Sequence, residues 1–327
     1  MEGGRIVSLT GFFFRQKSQG DKGEGAGQEA IVAITDNTKG ALFMAGSMAA
    51  FTLNDTAMKA LTQEMPVFQA IFLRGILATL GLLMLGYLMK SLRWNLPRRD
   101  RIVILIRSLA ELGATATFLT ALVHMPLANL SAILQALPLA VTLAAAVFLK
   151  ETIGWRRMAA IIVGFLGVLI IIRPGPDGFE IWSILGLISV AFVVVRDLST
   201  RFLSREVPSV NVAIWAAISV TAMGGVVTAT QGWAPVTGHQ ATLVVTAAFF
   251  LLFGYMFAVM VMRVGDISFI APFRYTALLW AIALGWIVFG NFPDGWTLVG
   301  ASLVVASGIF TLWRERLKKT RQLPARV

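Results

Sequence analysis

The sequence has no cysteine and only two histidines, His124 and His239, among its 327 residues. The lack of cysteine excludes disulfides, thiolate metal sites and a cysteine nucleophile, and two histidines are too few for a histidine-rich metal site. Charged residues make up only 14% of the chain, against about 25% in soluble domains. In contrast, 57% of the residues are hydrophobic and the mean hydropathy is +0.77. Burying so much apolar surface requires a lipid bilayer as well as a protein core.

A hydrocarbon core about 30 Å thick needs roughly 20 apolar residues in a helix to cross it. The chain contains ten stretches of about this length, separated by short connections. Their approximate bounds are 40–60, 66–89, 102–123, 126–149, 156–172, 181–201, 209–230, 241–262, 266–289 and 296–313. We therefore predict an all-α integral membrane protein with ten transmembrane helices.

The positions of the basic residues predict the orientation of these helices. With both termini in the cytoplasm, 22 of the 28 lysines and arginines flank the membrane on the inside, Arg173 alone faces outward and five lie within spans. This bias predicts cytoplasmic N and C termini. The net charge of +11 does not indicate a nucleic-acid partner, because the basic residues are spread over six separate segments instead of clustering on one soluble surface.

The two ends of the chain are predicted to lie outside the bundle. Residues 1–38 are polar and glycine-rich apart from a short apolar patch, which predicts a flexible cytoplasmic extension. The basic tail, residues 314–327, is predicted to contact anionic lipid headgroups. Docking of another protein is the alternative for the tail.

The two halves of the sequence resemble each other. Three sets of residues recur at a spacing of 141 or 142: Val147-Phe148 with Val288-Phe289, Trp155 with Trp296, and Asp55 and Lys59 with Asp197 and Arg201. This predicts a first five-helix repeat over 39–173, a linker over 174–180 and a second repeat over 181–313. Because five is odd, the second repeat enters the membrane with inverted topology. Many secondary transporters use this arrangement for alternating access around a midplane site.

The stretch from Pro126 to Pro174, PLANLSAILQALPLAVTLAAAVFLKETIGWRRMAAIIVGFLGVLIIIRP, and its weaker echo from Asp266 to Trp313 resemble the drug/metabolite transporter superfamily. The similarity is to its EamA-type members, which have two five-helix repeats, and it covers about residues 38–313. The segment from Phe51 to Gly75 further resembles members described as S-adenosylmethionine uptake transporters. The resemblance implies a central cavity lined mainly by spans 1, 3, 4, 6, 8 and 9.

Eight ionisable residues fall within the predicted spans: Asp55, Lys59, Arg74, Arg107, Glu111, Arg196, Asp197 and Arg274. A charge inside the membrane is costly unless it pairs or faces water, so each of these residues is a functional candidate. Five positive against three negative residues leave an excess of two positive charges. This excess predicts a substrate that carries a carboxylate or phosphate, with water or lipid phosphate as alternative partners.

The predicted substrate-binding residues are Arg274, Tyr275, Trp280, Glu111, Gln135, Asn54, Arg74 and Phe118. Arg274 is the strongest candidate because the other half has no counterpart to it. In addition, Pro272 frees a nearby backbone carbonyl, and a guanidinium fork suits a carboxylate or phosphate. The alternative for Arg274 is a structural salt bridge to Glu111 or Asp197. Arg74 also lacks a counterpart, and its alternative is snorkelling to lipid headgroups.

The other candidates also have structural alternatives. Glu111 is a candidate for binding an amino group or a coupling proton, whereas an intrahelical pair with Arg107 is the alternative. For Gln135, hydrogen bonding between helices is the alternative. The Asp55–Lys59 and Asp197–Arg201 pairs each lie four residues apart on one helical face. Because both halves keep them, we predict a gate or a helix clamp, with substrate contact as the alternative.

These features predict a secondary transporter of a small polar organic solute: an amino acid, a derivative such as S-adenosylmethionine, or an organic anion. The sequence has no G-x-x-x-x-G-K-[ST] motif, so it encodes no ATP-driven step. The alternatives are an intramembrane acyl or phosphoryl transferase and a channel. We expect no cofactor and no metal, lipid as a partner, and a bacterial inner (plasma) membrane as the location. The sequence leaves a homodimer open.

Overall fold

The computed structural model describes residues 25–322 except 94, 174–180, 205, 262–263 and 265, and it describes only the backbone of 25–35, 267–268, 315–316 and 318–322. The described residues form helices and connections, with no strand. The helices are α1 (Gly25–Thr62), α2 (Val67–Leu88), α3 (Arg98–His124), α4 (Leu127–Leu134), α5 (Leu137–Leu149), α6 (Trp155–Ile172), α7 (Ile181–Thr200), α8 (Ser209–Gln231), α9 (Gly238–Val261), α10 (Ile267–Ile270), a 3₁₀ helix (Ala271–Tyr275), α11 (Thr276–Phe289) and α12 (Gly295–Gln322).

Nine segments in this part of the chain are long and apolar enough to cross a membrane, when α4 is counted with α5 and the 3₁₀ helix with α11. They coincide with nine of the ten predicted spans, so the chain is a multi-pass membrane protein. The remaining predicted span, 40–60, lies within α1. Its apolar stretch is interrupted by Asn54, Asp55 and Lys59, so a crossing by α1 stays a prediction.

Both ends of the bundle are more helical than predicted. Helix α1 begins at Gly25, so the predicted flexible extension is helical over its last 14 residues, where alanine, glutamine and glutamate favour helix. Helix α12 likewise continues from the predicted end of span 10 into the basic tail, as far as Gln322. Residues 1–24 and the predicted linker 174–180 lie outside the described residues.

The fourth span of each half was predicted to be continuous, and the structure shows that both are broken. In the first half, α4 ends at Leu134 and α5 begins at Leu137. Pro138 causes this break because its ring would clash with the carbonyl of Leu134 in an uninterrupted helix. In the second half, the 3₁₀ helix that contains Pro272 separates α10 from α11. Transporters often bind their substrates at such discontinuous helices.

The packing of the helices is symmetric between the two halves. Helix α1 lies along α9 as α3 lies along α7, while α2 crosses α8 and α6 crosses α12. If each helix from α1 to α6 is exchanged with its counterpart from α7 to α12, the same helix pairs result. Thr79 and Thr221, which are 142 residues apart, share a hydrogen bond of 3.2 Å between their hydroxyl oxygens where α2 crosses α8. Equivalent residues of the two halves therefore meet where α2 packs against α8.

The apolar core is largest at one end of the bundle, where α1 and α3 end and α2 and α4 begin. Met58, Leu61, Leu122 and Leu127 belong to this cluster and are 0–1% exposed. The other buried apolar cluster of the described residues contains only Leu82, Val210 and Ile214 and lies towards the opposite end, where α8 begins. The first end is thus more tightly packed than the second.

Candidate functional site

Polar residues from both halves meet inside the bundle. On the side of the first half, Arg74 of α2 and Asn54 of α1 are buried, with 8% and 3% of their surfaces exposed. The Arg74 Nη1 donates to the Asn54 side-chain oxygen at 3.1 Å, and the Asn54 Nδ2 donates to the Asp55 carboxylate at 2.9 Å. The amide of Asn54 thus stands between the guanidinium and the carboxylate.

On the side of the second half, Arg196 of α7 joins two carboxylates. Its Nη1 donates to Glu111 of α3 at 3.3 Å, and its Nε donates to the neighbouring Asp197 at 2.9 Å. The Glu111 carboxylate also lies 3.7 Å from Nη1 of Arg107, one turn away on α3. The structure therefore contains the predicted Arg107–Glu111 pair together with an interhelical pair. The Glu111, Arg196 and Asp197 side chains are 15–30% exposed, so they are half-buried.

Tyr255 of α9 is close to both groups. It interacts electrostatically with Glu111, Arg196 and Arg107 and also with Arg74. Its ring contacts Phe51 of α1 edge to face, with the ring centroids 5.6 Å apart. Sequence reasoning missed Tyr255 because it lies in an aromatic-rich segment with no recognisable pattern. The contact of Arg196 with Asp197 does not follow from the spacing either, because neighbouring residues in a helix do not face each other.

The charges of this cluster balance. It contains three guanidinium groups and three carboxylates, those of Arg74, Arg107, Arg196, Asp55, Glu111 and Asp197. The predicted positive excess is therefore not concentrated here, because Lys59 and Arg274 lie elsewhere.

Arg74 is the least paired of these buried charges. A guanidinium has five N–H donors, and the described residues provide one hydrogen-bond acceptor for it, which is an amide oxygen. Its Nε is buried and has no hydrogen-bond partner in this part of the chain. An unsatisfied buried donor is costly, so Arg74 is suited to bind an acceptor group supplied by a ligand.

Lys59 does not turn towards Asp55, although both lie on α1. Its ammonium donates to the carbonyl oxygens of Leu122 and Met125, at 2.6 and 2.8 Å, and lies 5.6 Å from the centre of the Phe289 ring. These carbonyls are at the carboxyl end of α3, where a cation is favourable. Its counterpart Arg201 donates to Glu151 at 2.7 Å, and both of these side chains are exposed.

The predicted residues of the ninth span are separate from the cluster. Arg274 is exposed, and no ion pair among the described residues joins it to Glu111 or Asp197. The neighbouring Tyr275 is 5% exposed and packs against Gly308 of α12. It lines an apolar groove of about 640 Å³ between the 3₁₀ helix, α11 and α12. Because a 3₁₀ helix has three residues per turn, Arg274 lies on a different face of it from Tyr275.

The other predicted substrate-binding residues are distributed as follows. Trp280 is 42% exposed. Gln135 is buried at the break between α4 and α5. Phe118 is half-buried and packs against the larger apolar cluster. The structure thus brings together Asn54, Arg74 and Glu111 from that list, and Asp55 and Asp197 from the predicted gate.

Comparisons with known proteins agree with this architecture. Residues 38–173 match the EamA-like transporter family. A riboflavin transporter of Rhizobium johnstonii is 26% identical over 86% of this chain and 93% of its own length. An S-adenosylmethionine uptake transporter of Rickettsia felis is 24% identical over 84% and 93%. A pseudopaline exporter of Pseudomonas aeruginosa is 25% identical over 80% and 92%.

A solved crystal structure shares the fold. It superimposes with a TM-score of 0.60 over 86% of this chain and 99% of the other chain, at 19% identity. The matched segment 38–173 contains Asn54, Arg74 and Glu111 and ends where the first predicted repeat ends. Residues 38–173, which make up less than half of the chain, are therefore similar to the EamA-like transporter family.

Proposed function

We propose that this protein is a secondary transporter of a small polar organic solute, which it moves by alternating access across a bacterial inner membrane. The similar proteins are named as transporters of riboflavin, S-adenosylmethionine and pseudopaline. The single observation that carries the proposal is the polar cluster, because its charged side chains come from both halves and lie inside an apolar bundle. Charges in such a place indicate a substrate pathway.

The proposal includes ten spans in two inverted halves, 39–173 and 181–313, with both termini in the cytoplasm. The exchange symmetry of the helix pairs and the contact between Thr79 and Thr221 support two equivalent halves. The distribution of lysine and arginine supports the orientation. In this arrangement α1 also crosses the membrane and brings the number of spans from nine to ten. Its polar residues face the cluster instead of lipid.

The substrate proposed here carries a carboxylate or phosphate that binds Arg74. The guanidinium is buried, the described residues leave some of its donors without an acceptor, and its planar fork matches either group. Because the formal charges of the cluster balance, a zwitterion such as an amino acid or an amino-acid derivative brings no net charge into the membrane interior. An organic anion would leave one negative charge there and is the second candidate.

Ligand-induced thermal stabilisation of the purified protein tests this proposal. The panel contains amino acids, S-adenosylmethionine, riboflavin, organic anions and lipophilic cations. A specific ligand at one hundred times its dissociation constant adds about 2.7 kcal/mol to the free energy of unfolding. We expect a carboxylate-bearing ligand to stabilise the protein and Arg74→Gln to abolish that effect. Arg93→Gln is the matched control, since Arg93 is exposed. Stabilisation by cations alone would contradict the substrate class.

The oligomeric state is a separate part of the proposal. The polar cluster is built by a single chain, so the proposed site is complete in a monomer. A homodimer is compatible with it, and mass measurement in detergent distinguishes the two states.

A further inference from the structure

Lys59 and Arg201 occupy equivalent positions in the two halves but make different contacts. They are separated by the same 142 residues as the contacting pair Thr79 and Thr221. Lys59 is 4% exposed and holds the carboxyl end of α3. The Arg201 side chain is 45% exposed and pairs with Glu151 in the connection after α5. The sequence is symmetric at these positions, and the structure is not.

The packing is also tighter around Lys59 than around Arg201. Helix α1 packs against both α2 and α3 of its own half. In the part of the chain that the structure describes, α7 packs less against α8 and α9. Leu61, two residues after Lys59, is fully buried, while its counterpart Leu203 is only half-buried. The end of the bundle at Lys59 is thus closed, and the end at Arg201 is the looser one.

The aromatic neighbours follow the same pattern. Lys59 lies over the ring of Phe289. The equivalent aromatic residue in the first half is Phe148, which is 75% exposed. The aromatic counterpart available to Arg201 is therefore exposed, whereas Lys59 already lies over its own.

In a transporter with two inverted halves, the second state arises when the halves exchange their conformations. We infer that Lys59 and Arg201 are alternating locks: as Lys59 leaves the carbonyl groups of α3 and the ring of Phe289, Arg201 releases Glu151 and packs over the ring of Phe148. The inference rests on the proposed function, and it adds which residues close each end.

The physical basis is that the polar groups at the closed end need new partners when this end opens. Lys59 is a buried cation whose charge is satisfied by two carbonyl oxygens and an aromatic ring. It can leave them only if water reaches this end, since an unpaired buried charge is strongly unfavourable. Opening of the Lys59 end and exposure of Leu61 to water are therefore one event.

Two single-cysteine reporters, Leu61→Cys and Leu203→Cys, test the inference, because the chain has no cysteine of its own. The protein is labelled in detergent with a charged maleimide, which reaches both ends. In the parent protein we expect rapid labelling at position 203 and protection at position 61. Lys59→Met should raise labelling at position 61 roughly fivefold or more, as expected for a coupling of 1–3 kcal/mol, and lower it at position 203. Lys39→Met, at an exposed lysine, is the control and should change neither rate.

A second variant separates a lock from a merely structural residue. Adding Arg201→Met to Lys59→Met removes both locks and should return labelling at position 61 towards the parent rate. Lys59→Arg keeps the cation and should resemble the parent. If Lys59→Met raised labelling at both reporters, Lys59 would be a structural helix cap and the inference would be wrong. An unchanged rate at position 61 would also overturn it.

These measurements need no substrate. Opposite changes at the two reporters would support the locks even if no solute were transported. Conversely, transport with unchanged labelling would leave the proposed function intact and refute the locks.

Discussion

The guanidinium of Arg74 donates to the side-chain oxygen of Asn54 at 3.1 Å, and the amide of Asn54 in turn donates to Asp55 at 2.9 Å. A neutral amide therefore separates a buried cation from a carboxylate. A direct Arg74–Asp55 ion pair would use the donors of Arg74. The intervening amide leaves them available to a ligand, and this has a direct consequence for variants of Asn54.

Asn54→Asp should weaken binding of a carboxylate-bearing ligand by about tenfold or more. The new carboxylate would pair with Arg74 and repel the ligand, and like charges in contact cost several kcal/mol. Dissociation constants for the ligand and for its neutral amide analogue, measured by isothermal titration calorimetry, check this. The analogue should bind both proteins equally. A parallel loss for both compounds would place Asn54 in a structural role.

Glu111 and Arg196 should be coupled in stability. Glu111→Gln removes a charge-assisted hydrogen bond between α3 and α7, and we expect a loss of roughly 1.5–3 kcal/mol. Arg196→Gln should cost a similar amount, and the double variant should cost less than the sum because the two residues share one interaction. Thermal unfolding of the four proteins gives the coupling. Strict additivity would show that the pair does not join the halves.

The crossing of α6 and α12 depends on two glycines. A Cβ atom on Gly167 would lie 2.7 Å from the carbonyl oxygen of Gly300, which is too close for any contact of this kind. Gly167→Ala should therefore destabilise the protein by about 1–3 kcal/mol. Gly295→Ala is the control, since a Cβ there meets no atom within 4 Å. Equal unfolding temperatures for the two variants would argue against this helix contact.

The proposed orientation predicts opposite labelling at two exposed positions. In intact cells, a cysteine at Gln63, in the connection after α1, should react with an impermeant reagent. One at Asn95, in the connection after α2, should react only after the membrane is permeabilised. Both side chains are exposed, so burial does not prevent reaction. The reverse pattern would refute cytoplasmic termini.

Much of the fold could be predicted because long apolar runs report directly on membrane spans. Nine spans, including those of Arg74 and Glu111, follow from the sequence in this way. The broken fourth spans did not follow as clearly. Pro138 and Pro272 indicate weak points, but where the helix stops depends on the surrounding packing.

Several residues of the candidate site could be predicted from the sequence, but their contacts could not. Asn54, Arg74 and Glu111 stand out because polar residues are rare in apolar helices. Their partners depend on how α1, α2, α3 and α7 pack, which local patterns do not encode. The same holds for Lys59, whose ammonium binds carbonyl groups of α3 instead of Asp55. For Arg274, the change from α-helix to 3₁₀ helix alters which residues share a face.

Counterflow in proteoliposomes tests the central claim most directly. Vesicles are loaded with an unlabelled ligand identified by thermal stabilisation, and uptake of the labelled ligand from outside is followed. Alternating access predicts uptake that is faster than in unloaded vesicles, saturates with concentration and is lost in Arg74→Gln but not in Arg93→Gln. Flux that neither saturates nor responds to the internal ligand would indicate a channel and contradict the account, as would chemical conversion of the ligand without its accumulation.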